Sequence, residues 1–279
     1  MKIAALQMVS EPSLERNLKV AQTLIAQAAE QGAELIALPE YFCFMGQRDT
    51  DKLALQETLG CGPIQDFLAA AARAHQVWIV GGTLPLASTQ AQRARNSCLA
   101  YNPQGELVAH YDKMHLFAFT NGTEHYDEAS VLEAGDQPVC FNLASRDGET
   151  WRVGLSVCYD LRFGALYHAL QADLILVPSA FTHTTGQAHW EVLLRARAIE
   201  NLAYVMAPAQ GGVHPNGRHT WGHSMVVDSW GRVMQVQPEG SGIAMADISL
   251  SLLRQHRQQL PALTHRRTIR SPGTGLAEI

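Results

Sequence analysis

The stretch "GLSVCYDLRFG", residues 154–164, reads as an apolar strand that ends on Cys158 and turns at once into a helix-like segment carrying Tyr159, Asp160 and Arg162. A cysteine within a strand normally serves as a small apolar side chain. One at the strand's carboxyl end faces the edge where open α/β sheets place their ligands. Its reactivity then depends on the charges the chain brings beside it, because the thiolate is the nucleophilic form. "LIALPEYF" leaves a strand through Pro39 onto Glu40 in the same manner, so a carboxylate and a thiol can meet at one sheet edge. "YDKMHLF" sets Lys113 just past another strand, at the start of a connection to about Gly135 with little pattern of its own. Connections that long inside a compact domain are usually functional or disordered. Taken singly, a glutamate after Leu-Pro reads as a solvated cap and a lysine as a surface charge; the three together read as chemistry. Cys43, Cys61, Cys98 and Cys140 lack such a setting and read as structural.

The elements that must position these groups alternate. "KIAALQM" is strand-like, Pro12 and Ser13 open a helix, and Leu14, Leu18, Ala21, Leu24, Ile25 and Ala28 recur at helical spacing up to Gly32. "AELIALPE" is the next strand, Pro63 to His75 a second helix and "VWIVGG" a third strand. This βαβα order predicts an α/β fold. "NSCLAYN" and "LVAHYD" flank Pro103 to Gly105 as a hairpin; "RVGLSVC" leads to a helix near Phe163, and "ADLILVPS" to one from Ala188 to Asn201. "SMVVD" and "RVMQVQ", joined at Ser229 to Gly231, and then "IAMADI" are short strands. With no linker or low-complexity tract, residues 1–267 read as a single domain and 268–279 as a C-terminal tail or arm.

Composition excludes several classes. The 279 residues are 47% hydrophobic and 17% charged, with a net charge of -5, so no basic field for nucleic acid exists. The apolar N-terminal run is too short for a signal peptide, and no run approaches a membrane span. The five cysteines are scattered without a CxxC pair, which speaks for a reducing, cytoplasmic setting rather than a disulfide framework. A zinc hydrolase built on His183 and His189, or on His214, His219 and His223, is the rival reading. It lacks an HExxH, and His189 opens a helix whose Trp190, Leu193, Leu194 and Ala198 are spaced for packing. A silent interaction protein on the same scaffold is a third; it would be expected to lose a reactive group, and none is missing.

The segments "LPE", "DKMHLF" and "CYDLRF", in that order, resemble the nitrilase or carbon-nitrogen hydrolase superfamily, and the resemblance runs from "AALQM" to "LTHRR". It implies a four-layer α-β-β-α sandwich, a homodimer or higher homo-oligomer paired through the segment after Asp160 and the helix ending at Asn201, and no metal or other cofactor. It implies Glu40, Lys113 and Cys158 as the catalytic set, with a second glutamate in the loop after the lysine; Glu128 in "YDEAS" matches best, with Glu124 and Glu133 nearby. An amide needs a strong nucleophile, an oxyanion stabiliser and a proton donor for the leaving nitrogen. Cys158, favoured as thiolate by Lys113, would attack; Glu40 would take and return the proton; Lys113 and the Tyr159 backbone N–H would hold the oxyanion, through a thioester.

"PSAFTHTTGQAHWEVLLRARAIEN" and "TWGHSMVVDSWG" are similar to the branch acting on amides of α-keto acids, which holds deaminated glutathione amidases and ω-amidases. "LPEYFCFMG" and "LQETLGCGPI" are closer to the first, while "TWGHS" is shared in part with the second, whose substrate is α-ketoglutaramate. In that branch the residue matching Arg162 binds the α-keto carboxylate, a bidentate task suited to guanidinium. Phe181 and Thr185 match the aromatic and hydroxyl that complete the pocket. The competing reading pairs Arg162 with Asp160 or with an acidic residue of a partner subunit.

Overall fold

The computed structural model describes residues 1–122 and 124–267. The first half runs β1 (Lys2–Gln7), α1 (Leu14–Glu30), β2 (Leu35–Ala37), α2 (Pro63–His75), β3 (Trp78–Val80), then β4 (Leu84–Ala87), β5 (Ala94–Tyr101) and β6 (Leu107–Asp112). A small hairpin, β7 (Ala118–Thr120) and β8 (His125–Asp127), precedes β9 (Val139–Ala144) and β10 (Thr150–Leu155). The second half repeats the alternation with α3 (Gly164–Leu170), β11 (Leu174–Leu176), α4 (His183–Asn201) and β12 (Tyr204–Ala207). A hairpin of β13 (Gly211–Val213) and β14 (His219–Trp221), strands β15 (Ser224–Val227), β16 (Val233–Gln237) and β17 (Gly242–Asp247), and α5 (Leu250–Gln259) complete it.

Among the described residues, β17-β1-β2-β3-β5-β4, with β6 against β5, form one sheet, and β16-β15-β12-β11-β10-β9 form the other. The strands joined through helices are parallel: β1, β2 and β3 in one sheet, β10, β11 and β12 in the other. Alternation along the strands sorts the layers. Ile3 and Ala5 of β1 share a core with Val153, Leu155 and Ile175 of the second sheet, whereas Ala4 and Leu6 pack with Ala21 and Ile25 of α1 and Leu68 of α2. Leu166 and Tyr167 of α3 and Trp190, Leu194 and Ala198 of α4 close the other side. The result is the expected α-β-β-α sandwich.

Local chemistry sets the boundaries. The Ser13 hydroxyl accepts from the Arg16 N–H at 3.4 Å and starts α1 where the sequence placed it. Helix α4 starts at His183, earlier than the expected Ala188, because the Thr182 hydroxyl accepts from the Thr185 N–H and caps an extra turn. The expected helix after Cys158 is divided into a 3-10 turn, Cys158–Arg162, and α3. The connection read as patternless from Met114 to Gly135 holds the β7–β8 hairpin and a 3-10 turn at Glu128–Ser130. Phe117, Phe119 and Tyr126 pack together there, a local aromatic cluster in place of a periodic pattern. The expected tail at 268–279 lies outside the described residues. Among those described, no helix is long and apolar enough to cross a membrane.

Candidate active site

Three strand exits converge at one end of the sandwich. Glu40 follows β2, and Gly82 just past β3 makes the approach possible: a Cβ there would lie 2.0 Å from the Pro39 carbonyl, and its φ of +51° suits glycine. Glu40 is buried, and its Oε1 accepts from Asn96 Nδ2 at 2.8 Å and from Lys113 Nζ at 2.9 Å. Lys113, at the end of β6, is fixed by its N–H donating to the Asn96 carbonyl and by its carbonyl accepting from the Gly135 N–H. Its ammonium also reaches Glu128 Oε2 at 2.7 Å and Oε1 at 3.0 Å. Of the three glutamates considered in this loop, Glu128 meets the lysine. Glu124 accepts from Thr184 Oγ1, and Glu133 pairs with Arg95 at 2.6 Å. Glu128 is further held by Tyr41 Oη at 2.9 Å and the Phe117 N–H at 2.7 Å.

Cys158 stands at the exit of β10 with φ of +50°, a left-handed conformation costly for a residue with a Cβ. Its N–H donates to the Pro178 carbonyl at 2.9 Å. The turn is braced by Asp160, fully buried, which accepts from the Val157 N–H at 2.8 Å, Tyr111 Oη at 2.7 Å, and the His115 N–H and Nδ1 at 3.0 and 2.7 Å. His115 also stacks on Phe163 with ring centres 3.8 Å apart. Asp160 therefore ties the turn bearing the thiol to the segment bearing the lysine. With that carboxylate so engaged, it does not pair with Arg162, whose Nη2 donates instead to His189 Nδ1 at 3.3 Å.

The charges around the thiol pull in opposite directions. Burial pushes the Cys158 thiol well above its ordinary range and Glu40 adds to this, against the opposing pull of Lys113. The ammonium is shared between two carboxylates, which leaves burial and Glu40 to favour the thiol form over the thiolate that Lys113 would stabilise. Burial would lower the Lys113 pKa, yet Glu128 and Glu40 outweigh it and hold the ammonium charged. Burial likewise opposes ionisation of Glu128, and Lys113 overcomes it, keeping that carboxyl below its usual range.

Two cavities open from Cys158. One is lined by Tyr159, Arg162, Phe181 and Thr185 as well as the thiol. The Arg162 guanidinium lies 5.7 Å from both the Tyr159 and Phe181 ring centres. The Thr185 hydroxyl is within 2.9 Å of the Thr182 hydroxyl, so it braces the start of α4 as well as lining the cavity. The other, the larger of the two, is lined by Glu40, Glu128, Tyr41, Arg218 and His219 as well as the thiol. Sequence reasoning missed Tyr41 and Asn96, which are 87 and 56 residues from the carboxylates they bind. The histidines proposed as zinc ligands have other partners: His214 bonds Ser10 and Thr220, His219 stacks on His183, and His223 stacks on Trp221.

The carbon-nitrogen hydrolase family model matches residues 2–258, and the chain belongs to that family. A curated relative, the deaminated glutathione amidase of Synechocystis sp. (strain PCC 6803 / GT-S), is 43% identical over 269 residues, covering 94% of this chain and 97% of the relative. The crystal structure of the Caenorhabditis elegans NitFhit protein matches with a TM-score of 0.84 and 37% identity over 95% of this chain, which spans 65% of that longer protein. A variant amidase from Nesterenkonia sp. AN1, solved with acrylamide added to its active-site cysteine, matches with a TM-score of 0.76 and 26% identity, covering 94% of this chain and 98% of its own.

Proposed function

We propose that the protein is a cysteine-dependent amidase that hydrolyses deaminated glutathione to α-ketoglutarate and Cys-Gly through a thioester on Cys158. The observation that carries this reading is the buried Glu40–Lys113–Glu128 cluster, with Lys113 Nζ 2.9 Å from Glu40 and 2.7 Å from Glu128, beside a cysteine whose cavity contains an arginine. The name carried by relatives such as the Synechocystis protein supports the substrate.

In this account the acyl half lies in the Arg162 cavity, its α-keto carboxylate on the guanidinium. With burial raising the thiol pKa, Glu40 takes the thiol proton as sulfur attacks the amide carbon. The oxyanion is held by the Lys113 ammonium and the Tyr159 N–H, a type of contact worth about 10²–10³ in rate per donor. Glu40 then gives its proton to the nitrogen as the C–N bond breaks, and Cys-Gly leaves. Water, losing a proton to Glu40, attacks the thioester; collapse frees α-ketoglutarate, and the sulfur regains its proton. Glu128 keeps Lys113 charged and aimed.

A homodimer belongs to the same reading. Val192 and Ile199 of α4 are 69% and 49% exposed, and Trp230, 53% exposed, adjoins Gly231, which packs against Ile199. Together they form an apolar strip on the helix expected to pair. A cytoplasmic location fits the free, scattered cysteines.

The test of function is kcat/KM measured side by side on deaminated glutathione, α-ketoglutaramate, glutamine and a simple nitrile. Deaminated glutathione is expected to lead. A lead for α-ketoglutaramate, which has the same acyl half, would make the enzyme an ω-amidase, and a lead for the nitrile would remove it from the α-keto branch.

A further inference from the structure

The larger cavity contains a cation that the chemistry above does not use. Arg218 sits on the turn between β13 and β14, with a side chain 28% exposed. Its partners are Asp49 at 3.5 Å, whose side chain is 42% exposed, the Met45 sulfur at 3.7 Å, and Tyr126, whose ring centre lies 4.9 Å away and whose hydroxyl it also bonds, while the Glu128 carboxylate adds to the negative field on it. The position is a built one. The Arg218 N–H donates to Asn216 Oδ1 and its carbonyl accepts from the His214 N–H. His214, buried in turn, donates from Nδ1 to the Ser10 carbonyl at 2.8 Å and accepts at Nε2 from Thr220 at 2.7 Å. Gly186 of α4 lets Trp221 of β14 press against the helix, since a Cβ there would lie 2.2 Å from the Trp221 Cβ. A guanidinium on so fixed a turn is pre-organised for a planar anion.

Glu40 decides what reaches it. The group that protonates the departing nitrogen must lie on the leaving-group side, and Glu40 lines the Arg218 cavity, while the adjoining Arg162 cavity shares Phe117, Cys158, Ala180 and Thr182 with it but is not lined by Glu40. Resting on the proposed function, we infer that Arg218 binds the terminal carboxylate of the leaving dipeptide and so selects peptide-like amides ending in a free carboxylate over amides with a neutral leaving group. The two arginines would then read the two carboxylates of one substrate, one on each side of the scissile bond.

The test compares kcat/KM for α-ketoglutaryl-Cys-Gly with that for the same compound carrying a C-terminal carboxamide. The acid-to-amide ratio is taken within each of the wild type, Arg218→Gln, Arg218→Lys and Arg162→Gln, so that any loss of folded enzyme cancels. The expected ratio is tenfold or more in wild type, about 1.4 kcal/mol. It should fall towards one in Arg218→Gln, be intermediate in Arg218→Lys, and persist in Arg162→Gln. A wild-type ratio near one, or one that survives Arg218→Gln, overturns the assignment; a ratio that collapses only in Arg162→Gln shows the substrate bound the other way round. Wild-type enzyme that cleaves neither compound contradicts the proposed function itself and removes the ligand named here.

Discussion

At the scale of single residues, the site sets a thiol whose pKa burial raises beside a lysine whose charge two carboxylates support. The proposal therefore makes nucleophile activation a step of the reaction rather than a property of the resting enzyme. Alkylation of Cys158 by iodoacetamide should be slow at neutral pH and still be rising above about pH 10, where an ordinary thiol of pKa about 8.5 has finished titrating. A rate already at its plateau by neutrality would show a pre-formed thiolate. Replacing Cys158 with Ala should lower turnover by several orders of magnitude, as removal of one member of a cooperating catalytic set does. In the neighbouring cavity, Arg162→Lys should raise KM for α-keto substrates about tenfold, since an ammonium cannot reproduce the two parallel bonds of a guanidinium. Unchanged KM with a lowered melting temperature would assign Arg162 a structural role.

At the scale of elements, the strand exits were legible because they end continuous apolar runs in residues that such runs do not need, as Pro39-Glu40 and Cys158-Tyr159 do. The β7–β8 hairpin was not, because aromatic packing among Phe117, Phe119 and Tyr126 leaves no period of two or of 3.6 to read. Nor could Asp160 be recognised as a brace: Tyr111 and His115 reach it across 49 and 45 residues of sequence, and only the fold brings them together. Sequence proximity offered an ion pair with Arg162 as the competing reading, whereas burial reserved the carboxylate for donors on both segments. Asp160→Ala should strip a partner from the Val157 N–H and from buried Tyr111, at a cost of roughly 2–4 kcal/mol in unfolding free energy. Urea denaturation measures this, and a loss below about 0.5 kcal/mol would show that the two segments hold their places without it.

At the scale of the whole molecule, two exits of the first sheet and the loop after β6 bring Glu40, Lys113 and Glu128 into one ionic cluster beside the Cys158 exit of the second sheet, and that cluster links stability to pH. The Glu128 carboxyl is depressed in the folded state, so its contribution is present above the ordinary glutamate pKa of about 4.3 and is lost as pH falls through the lower folded value. Lys113 is raised, so its contribution is full below the ordinary lysine value of about 10.4 and fades only above it, as pH climbs through the folded value. The melting temperatures of wild type and Glu128→Gln should therefore differ most near neutrality and converge below about pH 4. A constant gap would place the effect outside this ion pair. On the outer face, a Val192→Glu, Ile199→Glu double variant should sediment as a monomer if the apolar strip of α4 pairs two copies, and an unchanged mass would locate any interface elsewhere.

The account as a whole stands on a covalent bond to one sulfur. Wild-type enzyme mixed with deaminated glutathione, quenched in acid during turnover and digested, should yield the peptide containing Cys158 carrying the α-ketoglutaryl group. Cys158→Ala treated identically should yield no acylated peptide. An acyl group on Cys43 or Cys61 instead, or release of α-ketoglutarate by Cys158→Ala at a tenth or more of the wild-type rate, would contradict it.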